Sequence, residues 1–135
     1  MTTPQRLLLL ICLALAVGAA QACKCVQPMM PAGHFERART VITGVVETVE
    51  PVAGAMKATL RIERKWKKAP TGPITVFTDG TCAVPFVAGQ HYLLYLQPLS
   101  PSTYATDRCS GSANVKSSQR ALRWLERRAS AASTH

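Results

Sequence analysis

Cys23 and Cys25, separated by Lys24, are the residues whose type and spacing point most directly to chemistry. They follow Ala20-Gln21-Ala22, whose small residues frame a signal-peptidase site of the A-x-A kind. Cleavage there would make Cys23 the first residue of the exported chain. A terminal cysteine engaged in a disulfide would hold a free α-amino group and its own carbonyl oxygen at a covalently anchored tip. Cys82 and Cys109 are the available partners.

The leader explains the compartment. Met1 to Arg6 is short and polar with one positive charge, and Leu7 to Ala16 is nearly continuous apolar sequence containing Cys12. That run is short for a membrane span and too close to the cleavage site for a stable anchor. The lipoprotein pattern, with Leu three positions before the cysteine, fits poorly because Ala20 stands there. Residues 1–22 are therefore read as a signal peptide and the chain as secreted or periplasmic. Removing 22 of 135 residues leaves 113, with 15 basic and 7 acidic side chains, a net charge of +8 and four cysteines. This is enough chain for one domain with a modest core, and small enough to gain from covalent staples.

Four cysteines allow three pairings. A bond between Cys23 and Cys25 would close a small strained ring, which disulfide geometry disfavours. In an extended segment both cysteines project to one side and Lys24 to the other. Cys23–Cys82 with Cys25–Cys109 is the favoured pairing, and spacing leaves the crossed one open. Metal binding by the thiols is the rival, but there is no CxxC pair and export favours oxidation. No metal of its own and no cofactor is expected.

The elements that must position these cysteines are mostly strands. Val26 to Pro31 reads as extended and proline-stiffened, and Ala32 to Arg39 as a short helix with His34, Phe35 and Ala38 at helical spacing. Val41 to Val49 is apolar on both faces, as a buried barrel strand would be. Met56 to Trp66 alternates, placing Met56, Ala58, Leu60, Ile62 and Trp66 on one face. Strands at Ile74–Thr78, His91–Leu96 and Tyr104–Cys109 follow, separated by turn residues at Asp79-Gly80, Ala88-Gly89 and Pro98–Ser102. Five strands with no long helix between them predict a small closed barrel. Ser117 or Ser118 can cap a helix running to about Ala129, with Ala121, Leu122, Leu125 and Ala129 as its apolar stripe. Residues 130–135 read as a disordered tail.

At this point the chain resembles the tissue inhibitor of metalloproteinases family. The opening Cys23-Lys24-Cys25-Val26-Gln27-Pro28 is similar to that family's mature terminus. The similarity continues through Val41-Ile42-Thr43-Gly44-Val45-Val46, Leu60 to Lys67, Cys82, Tyr92-Leu93-Leu94-Tyr95 and Cys109-Ser110. It covers residues 23–129 at the level of the family's netrin-like amino-terminal domain. The resemblance implies a mainly β, five-stranded Greek-key barrel of the oligonucleotide/oligosaccharide-binding (OB) type, with a short N-terminal and a C-terminal helix. It also implies the pairing Cys23–Cys82 and Cys25–Cys109. Its mechanism would be chelation of a protease's zinc by the amino nitrogen and carbonyl oxygen of Cys23, with Lys24 entering the pocket beyond the scissile bond. Val26, Gln27 and Pro28 would lie along the cleft, with Gly80 and Thr81 as a second contact edge. The chain departs from animal members in having two implied disulfides rather than three, and in Lys24 where they tend to carry a small hydroxyl or apolar residue. A buried unpaired ammonium is costly, so Lys24 calls for an acidic pocket or a snorkelling stem.

A second function class comes from charge. Arg64, Lys65, Lys67 and Lys68 flank Trp66, and the terminal helix adds Arg120, Arg123, Arg127 and Arg128. Such a basic patch suits an anionic polysaccharide or a lipid surface, in a module without inhibitory activity; export argues against nucleic acid. The same charges also serve solubility alone. An enzyme is not expected: the seven acids are scattered, and His34, His91 and His135 form no ligand motif. A monomer is expected.

Overall fold

The computed structural model describes residues 22–26 and 29–133, together with Pro4. The expected signal segment therefore lies almost wholly outside the described residues, as do Gln27, Pro28, Thr134 and His135.

The chain is mainly β. Helix α1 (Pro31–Arg37) precedes strands β1 (Thr40–Val52), β2 (Ala55–Lys67), β3 (Ile74–Thr78), β4 (His91–Ser100), β5 (Thr103–Ala105) and β6 (Ala113–Asn114), and helix α2 (Gln119–Ser133) follows. The sheet order is β1-β2-β3-β5-β4-β6, and β1 also pairs with β4, so the first five strands close into a barrel of the expected OB type. All barrel pairings are antiparallel except β3 with β5.

The β1–β2 hairpin turns through Ala53 and Gly54, both at positive φ, between the paired residues Val52 and Ala55. Two residues in that conformation match the twist of the flanking strands. Gly44 is needed for a different reason. A Cβ there would lie 2.9 Å from the Arg61 carbonyl oxygen, in backbone that cannot give way.

Two apolar clusters share the sheet. Ile42, Val46, Leu60, Val76, Leu94 and Tyr104 are among those that fill the barrel. Val41, Leu93 and Tyr95 point outward, where Phe35 and Ala38 around α1 and Leu125 of α2 cover them. This is why β1 reads as apolar on both faces: it has a packed layer on either side, and β4 is buried in the same way.

One expectation for β2 is corrected. Ala58, Leu60 and Ile62 belong to the barrel interior, but Trp66 packs with the outer cluster. The ladder skips Glu63 between the pairs Gly44–Ile62 and Thr43–Arg64, and Trp66 between Ile42–Lys65 and Val41–Lys67. One extra residue inverts the alternation of every side chain beyond it. The other boundaries move less. The strand expected over Tyr104–Cys109 stops at Ala105, β4 runs on to Ser100, and α2 continues through Ser133 rather than ending near Ala129. Residues 130–133 are thus helical, not a disordered tail. The Ser118 hydroxyl donates to the Asn114 carbonyl at 2.9 Å instead of turning to α2.

Candidate functional site: the disulfide-anchored tip

Two segments of the barrel's far end carry the partner cysteines. The first leaves β3 at Thr78, whose buried Oγ1 accepts the Val84 N–H at 3.0 Å. Buried Val84 and Phe86 then pin the loop to the barrel. The Tyr92 hydroxyl fixes it again, donating to the Pro85 carbonyl and accepting from the Val87 N–H, each at 2.9 Å. Asp79, Gly80 and Thr81 at the crest of this loop are exposed, with Cys82 half-buried behind them.

The second segment follows β5. Asp107 caps a 3-10 turn over Arg108–Ser110, accepting the Ser110 N–H at 2.8 Å and the Ser110 hydroxyl at 2.9 Å. Gly111 ends the turn at φ 99°, and a Cβ there would lie 2.7 Å from Cγ of His34, so both its conformation and its contact require glycine. Ser112, buried, accepts the Tyr95 N–H at 2.8 Å and shares a 2.6 Å hydrogen bond with Thr106, whose hydroxyl donates to the Tyr95 carbonyl at 2.8 Å in the alternative orientation. The turn carrying Cys109 is thereby tied to the centre of β4.

These two segments are also joined directly. The Arg108 N–H donates to the Cys82 carbonyl at 2.8 Å, and its guanidinium donates to the Thr81 carbonyl at 2.7 Å. Sequence reasoning missed Asp107 and Arg108. The Asp-x-x-Ser spacing of a cap was the available signal for the first.

Onto this platform the N-terminal segment is bonded by Cys23–Cys82, with Cα atoms 4.8 Å apart, and Cys25–Cys109, at 5.3 Å. This is the pairing the resemblance implies. The Cys109 Sγ lies 3.6 Å from the Cys82 Sγ and 4.0 Å from the Cys23 Sγ, so the two bridges are in contact. Cys23 is half-buried, Lys24 and Cys25 are exposed, and Val26 is 99% exposed. Among the described residues, Ala22 to Val26 form no backbone or side-chain hydrogen bond with the barrel beyond these sulfur contacts. The tip is held by covalent bonds and little else. It stands beside the exposed Gly80–Thr81 crest. The expected ridge residues Cys23, Lys24, Cys25, Val26, Gly80 and Thr81 are therefore brought together; Gln27 and Pro28 lie outside the described residues.

Next to the tip, α1, β4 and the 3-10 turn enclose a cleft of about 220 Å³ lined by Met29, His34, Arg37, Tyr95, Asp107 and Ser110 among others. His34 sits 5.5 Å from the Tyr95 ring. Burial holds its pKa below the ordinary 6.5, Arg37 adds to this, and the nearby backbone of Ser110 and Met29 opposes it. Burial pushes the Tyr95 phenol up to about 12. Both are neutral at pH 7 and act as packing between helix and sheet.

The basic residues do not form one free patch. The Arg64 guanidinium stacks 3.7 Å over the Trp66 ring and pairs with Glu126 of α2. The Lys67 ammonium donates to the Phe35 carbonyl at 2.7 Å and the Glu36 carbonyl at 3.3 Å, at the end of α1. Arg128 lies 4.4 Å over the Phe35 ring. Arg64 and Lys67 of β2 hold the helices to the barrel and Arg128 holds α2 to α1, while Lys65 and Lys68 remain exposed.

No protein-family model matches the chain, and no curated protein sequence matches it. Among the described residues no helix is long and apolar enough to cross a membrane. The two disulfides are compatible with an extracytoplasmic location.

Proposed function

We propose that this chain is an exported inhibitor of zinc metalloproteases that acts through the processed amino terminus at Cys23. Export with cleavage after Ala22 is part of the proposal. The observation that carries it is the double anchoring of Cys23 and Cys25, which turns both side chains to the barrel and leaves Lys24 and the neighbouring backbone exposed.

A catalytic zinc keeps one coordination position for water or substrate. The amino nitrogen and carbonyl oxygen of a terminal Cys23 would replace that water as a five-membered chelate. Only the neutral amine binds metal. An α-amino group titrates near pH ~8, so deprotonation at neutral pH costs about 1 kcal/mol. Anchoring at both cysteines limits the chain entropy lost on docking. The Lys24 side chain then selects proteases whose pocket beyond the scissile bond is acidic, and Gly80–Thr81 supplies the second edge.

The alternative, a basic module for anionic polysaccharide or lipid surfaces, has less support, because Arg64 and Lys67 are engaged within the fold. The test is inhibition of a panel of zinc endopeptidases by exported chain whose terminus has been sequenced as Cys23. Stoichiometric loss of protease activity is expected, and one added residue before Cys23 or carbamylation of its amine should abolish it. Inhibition that survives the extension, or none by chain with a free Cys23 amine, overturns the proposal.

A further inference from the structure

The two bridges meet at one sulfur. Cys109 Sγ is bonded to Cys25 and sits within 4.0 Å of both sulfurs of the other bridge. Thiol–disulfide exchange needs a thiolate within contact distance of a disulfide and a leaving sulfur free to depart. We infer that the bridges form an exchange pair: a dithiol reductant that opens Cys25–Cys109 leaves a single Cys82–Cys109 bond and frees Cys23 and Cys25 together.

The steps balance. Cys25 is the exposed end of its bridge, whereas Cys109 is half-buried. One thiolate of the reductant attacks the Cys25 sulfur, and Cys109 leaves as a thiolate. The second thiol of the reductant closes onto the first, releasing Cys25 as a thiol and the reductant as its cyclic disulfide. Lys24 and Arg37 line the same recess as this bridge. Their charges favour both the incoming and the departing thiolate. Freed from Cys25, the Cys109 side chain can rotate about χ1 from beside the second bridge into line with it. It attacks the Cys82 sulfur, the Cys82–Cys109 bond forms, and Cys23 leaves as a thiolate that takes up a proton. Two electrons have entered, and one protein disulfide remains.

The direction of the second step follows from what holds each partner. Cys82 and Cys109 stay adjacent without any sulfur bond, because the Arg108 N–H and guanidinium bind the carbonyls of Cys82 and Thr81. Ser112 and Thr106 hold the same turn to β4. The segment from Ala22 to Val26 has no comparable hydrogen bond to a described residue. Once Cys23 departs, it must return from a loose chain end, while Cys109 remains at contact distance. Effective concentration therefore favours Cys82–Cys109. The barrel is untouched by the transfer, and the tip is discarded whole.

The exchange stands on geometry alone; its consequence, loss of inhibition after one two-electron reduction, rests on the proposed function. The experiment separates them. Oxidised exported chain is treated with limiting dithiothreitol, alkylated, and its bridges mapped by mass spectrometry. The expected one-disulfide form carries Cys82–Cys109 with Cys23 and Cys25 alkylated, as the major species. A one-disulfide form that keeps Cys23–Cys82, with Cys25 and Cys109 alkylated, overturns the inference. Cys25→Ser checks it without reductant: its oxidised form should hold Cys82–Cys109 and a free Cys23, and retention of Cys23–Cys82 overturns the inference equally. Transfer in a chain that never inhibited a protease would leave the exchange standing and remove the inhibitor reading.

Discussion

The barrel and the tip occupy one small domain but are held by different physics. The barrel interior is a packed apolar cluster in which Ile42, Leu60, Val76 and Leu94 are at most 1% exposed. The tip has almost no apolar burial, and its position comes from two covalent bonds. The difference teaches where each kind of damage should travel. Loss of packing is felt across the whole cooperative barrel, whereas loss of a bridge disturbs the folded structure only at the tip and lowers stability through the unfolded chain.

The sharpest way to break the comparison is from inside. Leu94→Ala removes a fully buried side chain and should cost about 2–5 kcal/mol in urea unfolding, while the folded fraction keeps both bridges in peptide mapping. Removing Cys25–Cys109 by paired serine substitutions opens a long loop and should cost about 2–4 kcal/mol, with the barrel's circular dichroism retained. If that pair of substitutions unfolds the barrel, the tip is no appendage and the distinction fails. Ser112→Ala probes the junction between the two regions. It leaves the buried Tyr95 N–H without its acceptor, for about 1–3 kcal/mol, and loosens the turn that carries Cys109.

The smallest effect concerns pH. His34 has a folded-state pKa below its ordinary 6.5, so the unfolded chain takes up the proton first as the pH falls. Wild-type stability should therefore decline as pH drops below 6.5 toward the folded-state value, and be unaffected by this group above it. His34→Gln should flatten that decline. Denaturant midpoints of both proteins at pH 7.5 and 5.5 measure it, and identical slopes would remove His34 as the cause.

Much of the barrel was legible because its signals are local. Ile74–Thr78 is bounded by Pro73 and Asp79 on either side, and both limits match. A turn expected over Pro51 to Ala55 announces the hairpin between β1 and β2, although Pro51, Val52 and Ala55 belong to the strands and the turn narrows to Ala53-Gly54. What could not be read depends on partners distant in sequence. The outward turn of Trp66 follows from an extra residue at Glu63 that only the facing β1 strand reveals. The 3-10 turn at Arg108 takes its place from Cys82 and Ser112 contacts across the sheet, so a continuing strand was the natural local reading. The basic run from Arg64 to Lys68 looked like a free surface because Glu126 and the Phe35 carbonyl lie 62 and 32 residues away. For the tip, the Cys-x-Cys spacing indicated that both sulfurs face inward, and the favoured pairing is the one formed, although spacing could not exclude the crossed one.

The order of the cysteines along the chain has a consequence for biogenesis. Cys23 and Cys25 emerge first during synthesis, and their partners follow 59 and 84 residues later. Strands β1 to β5 all lie between Cys25 and Cys109. The last strand of the barrel, β5, is therefore made before the second bridge has both its sulfurs. A folding barrel that gathers Cys82 and Cys109 through Arg108 can present a ready-made docking place for the two waiting thiols, so that assembly guides oxidation instead of the reverse.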